Sequence, residues 1–213
     1  MKVALSARTT TPVEAWHMRI QLIYAHPVEG SFCSALRDIV WNTLLQSGHV
    51  VRLTDLYAEG FAPALGREER LNYETTSANL TGVRAYVERL RWAEGLILVF
   101  PTWWYGMPAI LKGYFDRVWV PGVAFDLEPA GGVLRRRLDH IQLMAIVTTY
   151  GSPWWFIKLY MRDPGKAVLM RGIGRLLRPG AKRLYLAEYG MDQSTSESRT
   201  RFIDKVERAL SAL

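Results

Sequence analysis

The feature that most constrains this chain is an alternation along its whole length: apolar runs of strand length separated by stretches with helical periodicity. Ile20–Ala25 reads as a first strand, apolar except near its start. Ser31–Ser47 follows as a helix with Leu36, Ile39, Val40 and Leu44 on one face, and Gly48 stands where a left-handed stop is expected. Val50–Leu56 is the second strand, and the polar stretch Tyr57–Leu80 after it has little periodicity. The next helix places Val83, Val87 and Leu90 inward and Arg84, Glu88 and Arg91 outward. Gly95–Phe100 is the third strand, apolar throughout, as a strand covered by helices on both faces must be.

A helix over Pro108–Val120 carries Ile110, Leu111, Tyr114, Phe115 and Val118 as one stripe. Ile141–Thr149 is the fourth strand, and Trp154–Leu177 is helical material broken near Asp163-Pro164-Gly165. Arg183–Ala187 is the fifth strand, and Ser198–Leu213 is the last helix, with Phe202, Val206, Ala209 and Leu213 inward. Five strands alternating with helices predict an α/β fold of three layers around a parallel sheet. Right-handed crossovers leave few topologies, and the order 2-1-3-4-5 is the natural one. Its ligand sits at the switch point between the first and third strands, within loops that follow strands one, three and four.

The length of 213 residues suits one domain with a full core. The first 17 residues are polar and aperiodic, and Met18 stands immediately before the first strand, so residues 1–18 read as a disordered extension and 19–213 as the domain. No apolar run reaches the ~18–20 residues that span a bilayer. Cys33 is the single cysteine, which excludes an intrachain disulfide and points to a reducing, cytoplasmic compartment. The net charge of +7 is not accompanied by a zinc-finger, RNP or homeodomain pattern, so a solvated basic face or attraction of a phosphorylated cofactor is expected rather than nucleic acid. His17, His49 and His140 show no metal spacing.

The first expected ligand loop runs from Ala25 through His26-Pro27-Val28-Glu29-Gly30 into Ser31-Phe32-Cys33 at a helix start. Backbone N–H groups there suit a phosphate, Ser31 adds a hydroxyl and His26 a further donor; the plainer roles are an N-cap for Ser31 and a loop position for His26. A helix N-terminus can also lower the Cys33 thiol pKa. The second loop is Pro101-Thr102-Trp103-Trp104-Tyr105-Gly106, whose aromatic rings and N–H or O–H donors suit a planar ligand, or else an aromatic cluster in the core or at an interface. The third is Thr148-Thr149-Tyr150-Gly151, followed by Ser152-Pro153-Trp154-Trp155.

These segments resemble the flavodoxin-like NAD(P)H:quinone reductases. The match runs from Ile20 to the C-terminus and is most specific over Val99–Val118, including Pro-Ala-Ile-Leu-Lys-Gly. The resemblance implies a flavin, FMN or FAD. His26, Ser31, Phe32 and Cys33 would meet its phosphates. Pro101 to Gly106 would cover one side and edge of the isoalloxazine, and Thr148, Thr149, Tyr150 and Gly151 would meet its N1–C2=O edge. Arg199 matches a family residue near the adenine half of FAD. Tyr150 stands where the family has glycine, which questions the backbone conformation there. The mammalian branch of the family has a tyrosine and a histidine proposed to assist hydride transfer, and without gaps these positions fall on Phe156 and Arg162, so no catalytic acid or base carries over; Tyr150 and Arg162 are the remaining candidates. Lys112 and Asp116 resemble structural residues, four apart on one helix.

The resemblance further implies NAD(P)H as co-substrate, a small-molecule acceptor such as a quinone, two-electron ping-pong hydride transfer, and a homodimer with the flavin at its interface. The many tryptophans and the Phe115–Phe125 region are consistent with a buried partner surface. The arginines at 162, 171, 175 and 178 form an exposed helix face or a 2′-phosphate reader. The alternative is a related branch that serves as accessory regulatory subunit of a potassium-efflux antiporter, with that membrane transporter as partner.

Overall fold

The computed structural model describes residues 17–127 and 134–213. Strands β1 (Arg19–Tyr24), β2 (Val50–Asp55), β3 (Gly95–Pro101), β6 (Leu143–Tyr150) and β7 (Lys182–Tyr189) form a parallel sheet in the order β2-β1-β3-β6-β7. In sheet-strand numbering this is the expected 2-1-3-4-5. Strands β4 (Phe125–Asp126) and β5 (Arg135–Arg136) make a small antiparallel pair that lacks any periodic signature.

Strand alternation divides the core in two. Ile20, Leu22 and Tyr24 of β1 and Ile97 and Val99 of β3 point to one face, where α1 (Phe32–Gln46) and α6 (Ser196–Ser211) cover them. Ile23 of β1 and Leu96, Leu98 and Phe100 of β3 point to the other, under α3 (Arg84–Trp92) and α4 (Ala109–Val118). All seven residues of β3 are buried, which is why that strand has no polar alternation. Gln21, buried in mid-strand, donates from its amide nitrogen to Thr54 Oγ1 (3.1 Å) and Tyr114 Oη (3.4 Å), while its Oε1 has no partner among the described residues.

Residues 1–16 of the expected extension lie outside the described residues. Met18 is already tied to the domain, since its carbonyl accepts from the Val50 N–H at 3.0 Å. The last helix buries Phe202, Val206 and Leu210, so Leu210 takes the place expected of Ala209 and Leu213. The Phe115–Phe125 region is not a partner surface. Phe115, Val118, Trp119, Val120, Val123 and Ala124 are buried in the chain's own core. Arg136 and Arg137 pair with Asp139 and Asp126 on the outside of the small hairpin.

Gly113 is required by close approach. It lies inside α4, and a Cβ there would overlap the backbone of Pro63. Helix propensity alone favours alanine by about 1 kcal/mol. Gly113→Ala is nevertheless expected to destabilise the fold by about 1–3 kcal/mol through overpacking, read as a lowered urea midpoint.

Candidate functional site

The site is built where β1 and β3 diverge. The Ala25 N–H donates to the Val99 carbonyl at 3.1 Å, so the two strands end level and their loops leave side by side. The first loop enters α1 through Ser31, whose Oγ accepts from the Ser34 N–H at 3.1 Å. Ser31 is therefore the N-cap, and the N–H groups of Phe32 and Cys33, in the first turn, have no intrahelical partner by construction. The half-buried His26 turns Nδ1 toward the Val28 backbone, 3.0 Å from its N–H and 3.2 Å from its carbonyl oxygen, so Nε2 is the ring nitrogen left outside this local contact. Its ring stands 6.1 Å from that of Trp103, so the first two loops meet.

The second loop is a tight turn. The Trp103 N–H donates to the Gly106 carbonyl (3.1 Å) and the Gly106 N–H to the Trp103 carbonyl (3.0 Å). Trp104 and Tyr105 between them have φ of 48° and 62°. This is the type I′ pattern, usually held by Asn and Gly because it needs positive φ at both central residues. Two aromatic residues adopt it here, and strain of this kind clusters at ligand sites. Trp104 is 96% exposed, so nothing within the chain compensates for that strain by burying its ring. Loop two is pinned to loop three: the Thr102 N–H donates to the Thr149 carbonyl (2.8 Å), and the hydroxyls of Thr102 and Thr148 are 2.9 Å apart.

In the third loop Tyr150 has no left-handed backbone, so the side chain in place of glycine causes no strain of that kind. It is 2% exposed, with its hydroxyl 2.5 Å from that of Tyr185 and 3.4 Å from Asp163 Oδ1, and its ring stacked on Tyr189 at 5.1 Å. Burial pushes its phenol pKa up, and burial also raises those of Tyr185 and Tyr189. All three are hydrogen-bonding phenols at neutral pH, and Tyr150 is held away from the role of base. Gly151 keeps the loop close to Asp192, since a Cβ there would lie 2.9 Å from Asp192 Oδ2.

A cleft of about 160 Å³ results, lined by Thr102, Trp104, Tyr105, Tyr150, Gly151, Ser152 and Asp192. An apolar cavity of about 230 Å³ adjoins it beyond Tyr105, walled by Gly106, Met107, Pro164, Gly165 and Val168 with Lys112. Tyr185 and Tyr189 of β7 back the cleft through Tyr150, and Asp192, just after β7, lines it; the sequence marks Asp192 only as part of the polar start of the last helix. That strand runs to Tyr189, two residues past the apolar stretch that marks it in the sequence.

Several other expected side chains are engaged within the chain. Cys33 is buried, and burial pushes its thiol up to about 12, the opposite of the lowering that a helix start favours. Phe32 packs on Phe202, with ring centroids 6.5 Å apart. Arg199 donates to the Ser194 carbonyl and hydroxyl (3.3 and 2.9 Å), bracing the start of α6. Arg162 lines a separate cavity. Among the described residues no group of three or more metal-ligating side chains occurs, and no helix is long and apolar enough to cross a membrane.

The family model described as flavodoxin-like fold matches residues 18–170. A protein of Penicillium crustosum named ribosyldihydronicotinamide dehydrogenase-like protein traD is 34% identical over 125 residues, covering 52% of this chain and 47% of that protein. An uncharacterized NAD(P)H oxidoreductase of Escherichia coli (strain K12), YcaK, is 33% identical over 108 residues, covering 50% of this chain and 55% of that one. The chain thus spans about half the length of these curated relatives. Among solved structures, the NAD(P)H:quinone oxidoreductase from Methanothermobacter marburgensis superposes with a TM-score of 0.79 at 26% identity, over 92% of this chain and 98% of that one.

Two outcomes are expected from this geometry. Cys33 should react with a disulfide reagent at pH 8 at least about a hundredfold more slowly in the folded protein than in urea, because its thiolate is scarce and covered. Trp104→Asn should leave stability unchanged or raise it by up to about 1 kcal/mol, since asparagine tolerates the left-handed region; thermal unfolding checks this.

Proposed function

The chain belongs to the family with the flavodoxin-like fold, and from that premise we propose that it is a flavin-dependent oxidoreductase that takes hydride from NAD(P)H and delivers two electrons to a quinone or similar small acceptor. The observation that carries this reading is the convergence of three loops at the switch point around two aromatic residues in left-handed backbone. A flavin suits this donor set. The free N–H groups of Phe32 and Cys33, with the His26 ring, would hold phosphate at the start of α1. Pro101 to Gly106 would flank the ring, with Trp103 and Trp104 shielding it from water. The Thr149–Gly151 backbone, Ser152 and the Asp192 carboxylate offer both donors and acceptors to its polar edge.

When bound, the flavin would supply the hydride acceptor and the two-electron donor. The chain's own residues bind and orient. Backbone N–H groups of the third loop would stabilise charge that develops at the polar edge. Neither Tyr150, locked to Tyr185, nor Arg162, outside the cleft, is assigned a proton-transfer role. The nicotinamide and the acceptor would use the same open face in turn, which makes the kinetics ping-pong.

A second copy of the chain is proposed to complete the site. The apolar face that includes Trp154 (55% exposed), Trp155 (52%) and Tyr160 (73%) lies on the segment that follows the third loop and supports this. Equilibrium sedimentation is expected to give twice the chain mass, against a monomer if that face has another use.

The purified protein should show a flavin spectrum, natively or after addition of FMN or FAD, bleached by NAD(P)H and restored by benzoquinone. Mass measurement of what heat releases identifies the flavin. A protein that takes up neither flavin overturns the reading. His26→Ala is expected to weaken flavin binding about tenfold, the weight of one charge-assisted hydrogen bond, without lowering the unfolding midpoint.

A further inference from the structure

The segment between β6 and β7 holds a cavity that the reaction above leaves unused. It encloses about 260 Å³, larger than the polar cleft, and is lined by Lys158, Arg162, Lys166 and Arg171 with Asp163 as its only carboxylate. None of these four cations takes part in an ion pair found among the described residues. Elsewhere the chain pairs its arginines readily, as at Arg37, Arg89 and Arg117. Four unpaired cations around one concavity repel each other, and an anionic ligand is what such a field attracts.

The backbone is shaped to gather them. Arg162 and Asp163 are both left-handed, with φ of 56° and 52°, so the chain reverses between two wide helical turns. The Asp163 N–H donates to the Ile157 carbonyl (2.8 Å) and the Ala167 N–H to the Asp163 carbonyl (3.0 Å), which fixes the reversal. Lys158 before it and Lys166 after it then line one space. Their ammonium groups are set over the rings of Tyr189 (5.4 Å) and Tyr185 (5.6 Å).

The cavity shares a wall with the proposed flavin cleft. Asp163 lines the first, Tyr150 lines the second, and the Tyr150 hydroxyl lies 3.4 Å from Asp163 Oδ1. At Gly165, two residues after Asp163, a Cβ would lie 3.1 Å from the Tyr150 hydroxyl and 3.3 Å from the Tyr105 carbonyl oxygen, so the segment passes close over the cleft residues. A ligand whose planar ring stacks at the open face of the cleft, and which carries a phosphate some way along the same molecule, meets both. We propose that this cavity holds the 2′-phosphate of the reduced dinucleotide, so that the enzyme discriminates NADPH from NADH. The inference rests on the oxidoreductase reading above.

The test uses the full chain and the double variant Lys166→Met/Arg171→Met. Adenosine 2′,5′-bisphosphate and adenosine 5′-phosphate, titrated calorimetrically, read the cavity without any redox step. The bisphosphate is expected to bind the natural chain about tenfold or more tighter than the monophosphate, a margin the variant loses. In turnover, kcat/KM for NADPH should fall about tenfold in the variant, through KM, while kcat/KM for NADH holds. Equal binding of the two nucleotides, or an unchanged NADPH-to-NADH ratio in a variant that still takes up flavin, overturns the proposal. So does a natural chain that ignores the bisphosphate but sediments with phosphatidylserine vesicles through these residues. Failure to take up flavin while the bisphosphate margin persists would instead remove the oxidoreductase reading and keep the phosphate site.

Discussion

Everything at the ligand end depends on the pairing of β1 with β3. These strands lie side by side in the middle of the sheet, in register from Ile20 with Gly95 to Tyr24 with Val99, and extended by the Ala25–Val99 hydrogen bond. Because β1 leads to α1 on one face and β3 to α4 on the other, their loops part at the carboxyl end of the sheet and leave a crevice. The pairing holds because both strands are buried on both faces, so a slip of one residue would turn every side chain of β3 toward the wrong helix layer. A rigid pair at the base allows the loops above it to be strained without the fold yielding.

That strain is local and is held from three sides. The Trp103–Gly106 pair closes the turn, the Thr102–Thr149 bond ties it to β6, and Tyr105 rests against Phe156 with ring centroids 6.0 Å apart. Left-handed backbone at two non-glycine residues costs on the order of 1–3 kcal/mol each. An exposed Trp104 returns nothing in the free chain, so its aromatic surface has value only against something that comes to it. Stability and ligand recognition are opposed at this position, and the conflict is visible in the coordinates as a ring held out in solvent.

How far the sequence foretells this structure follows from what each residue answers to. The central strands β1, β3 and β6 are legible to within a residue or two at their ends, because burial on both faces imposes apolar runs that little polar interrupts, and the edge strand β2 shows instead through its shorter alternation. The end of β7 is less so. It is an edge strand whose apolar signal ends before Glu188, so Tyr189, stacked on Tyr150 behind the cleft, is not legible, and Asp192, which lines the cleft, reads only as the polar start of the last helix. The hairpin of β4 and β5 has two residues a side, too few for any period to show. Phe115–Phe125 was open to misassignment as an interface because an apolar stretch does not say whether its cover comes from its own chain. The sense of the Cys33 shift was equally hidden: a helix start favours the thiolate, but the side chain turns into the core under Leu36 and Val40, and desolvation prevails.

The charge of the chain is organised by the same geometry. Residues 154–178 carry six lysines and arginines against one aspartate, which accounts for most of the net +7. A uniformly basic protein would spread that excess over its surface, where screening over about 8–10 Å makes each charge nearly independent. Here the reversal at Arg162–Asp163 folds the excess onto itself, inside one cavity and beside the ligand crevice. Concentrating like charges raises the energy of the free protein, and the tyrosine faces under Lys158 and Lys166 offset only part of it. An anion would relieve such a field, which makes the basic segment a complement to the aromatic turn: one presents a strained ring to a planar group, the other an uncompensated field to a phosphate.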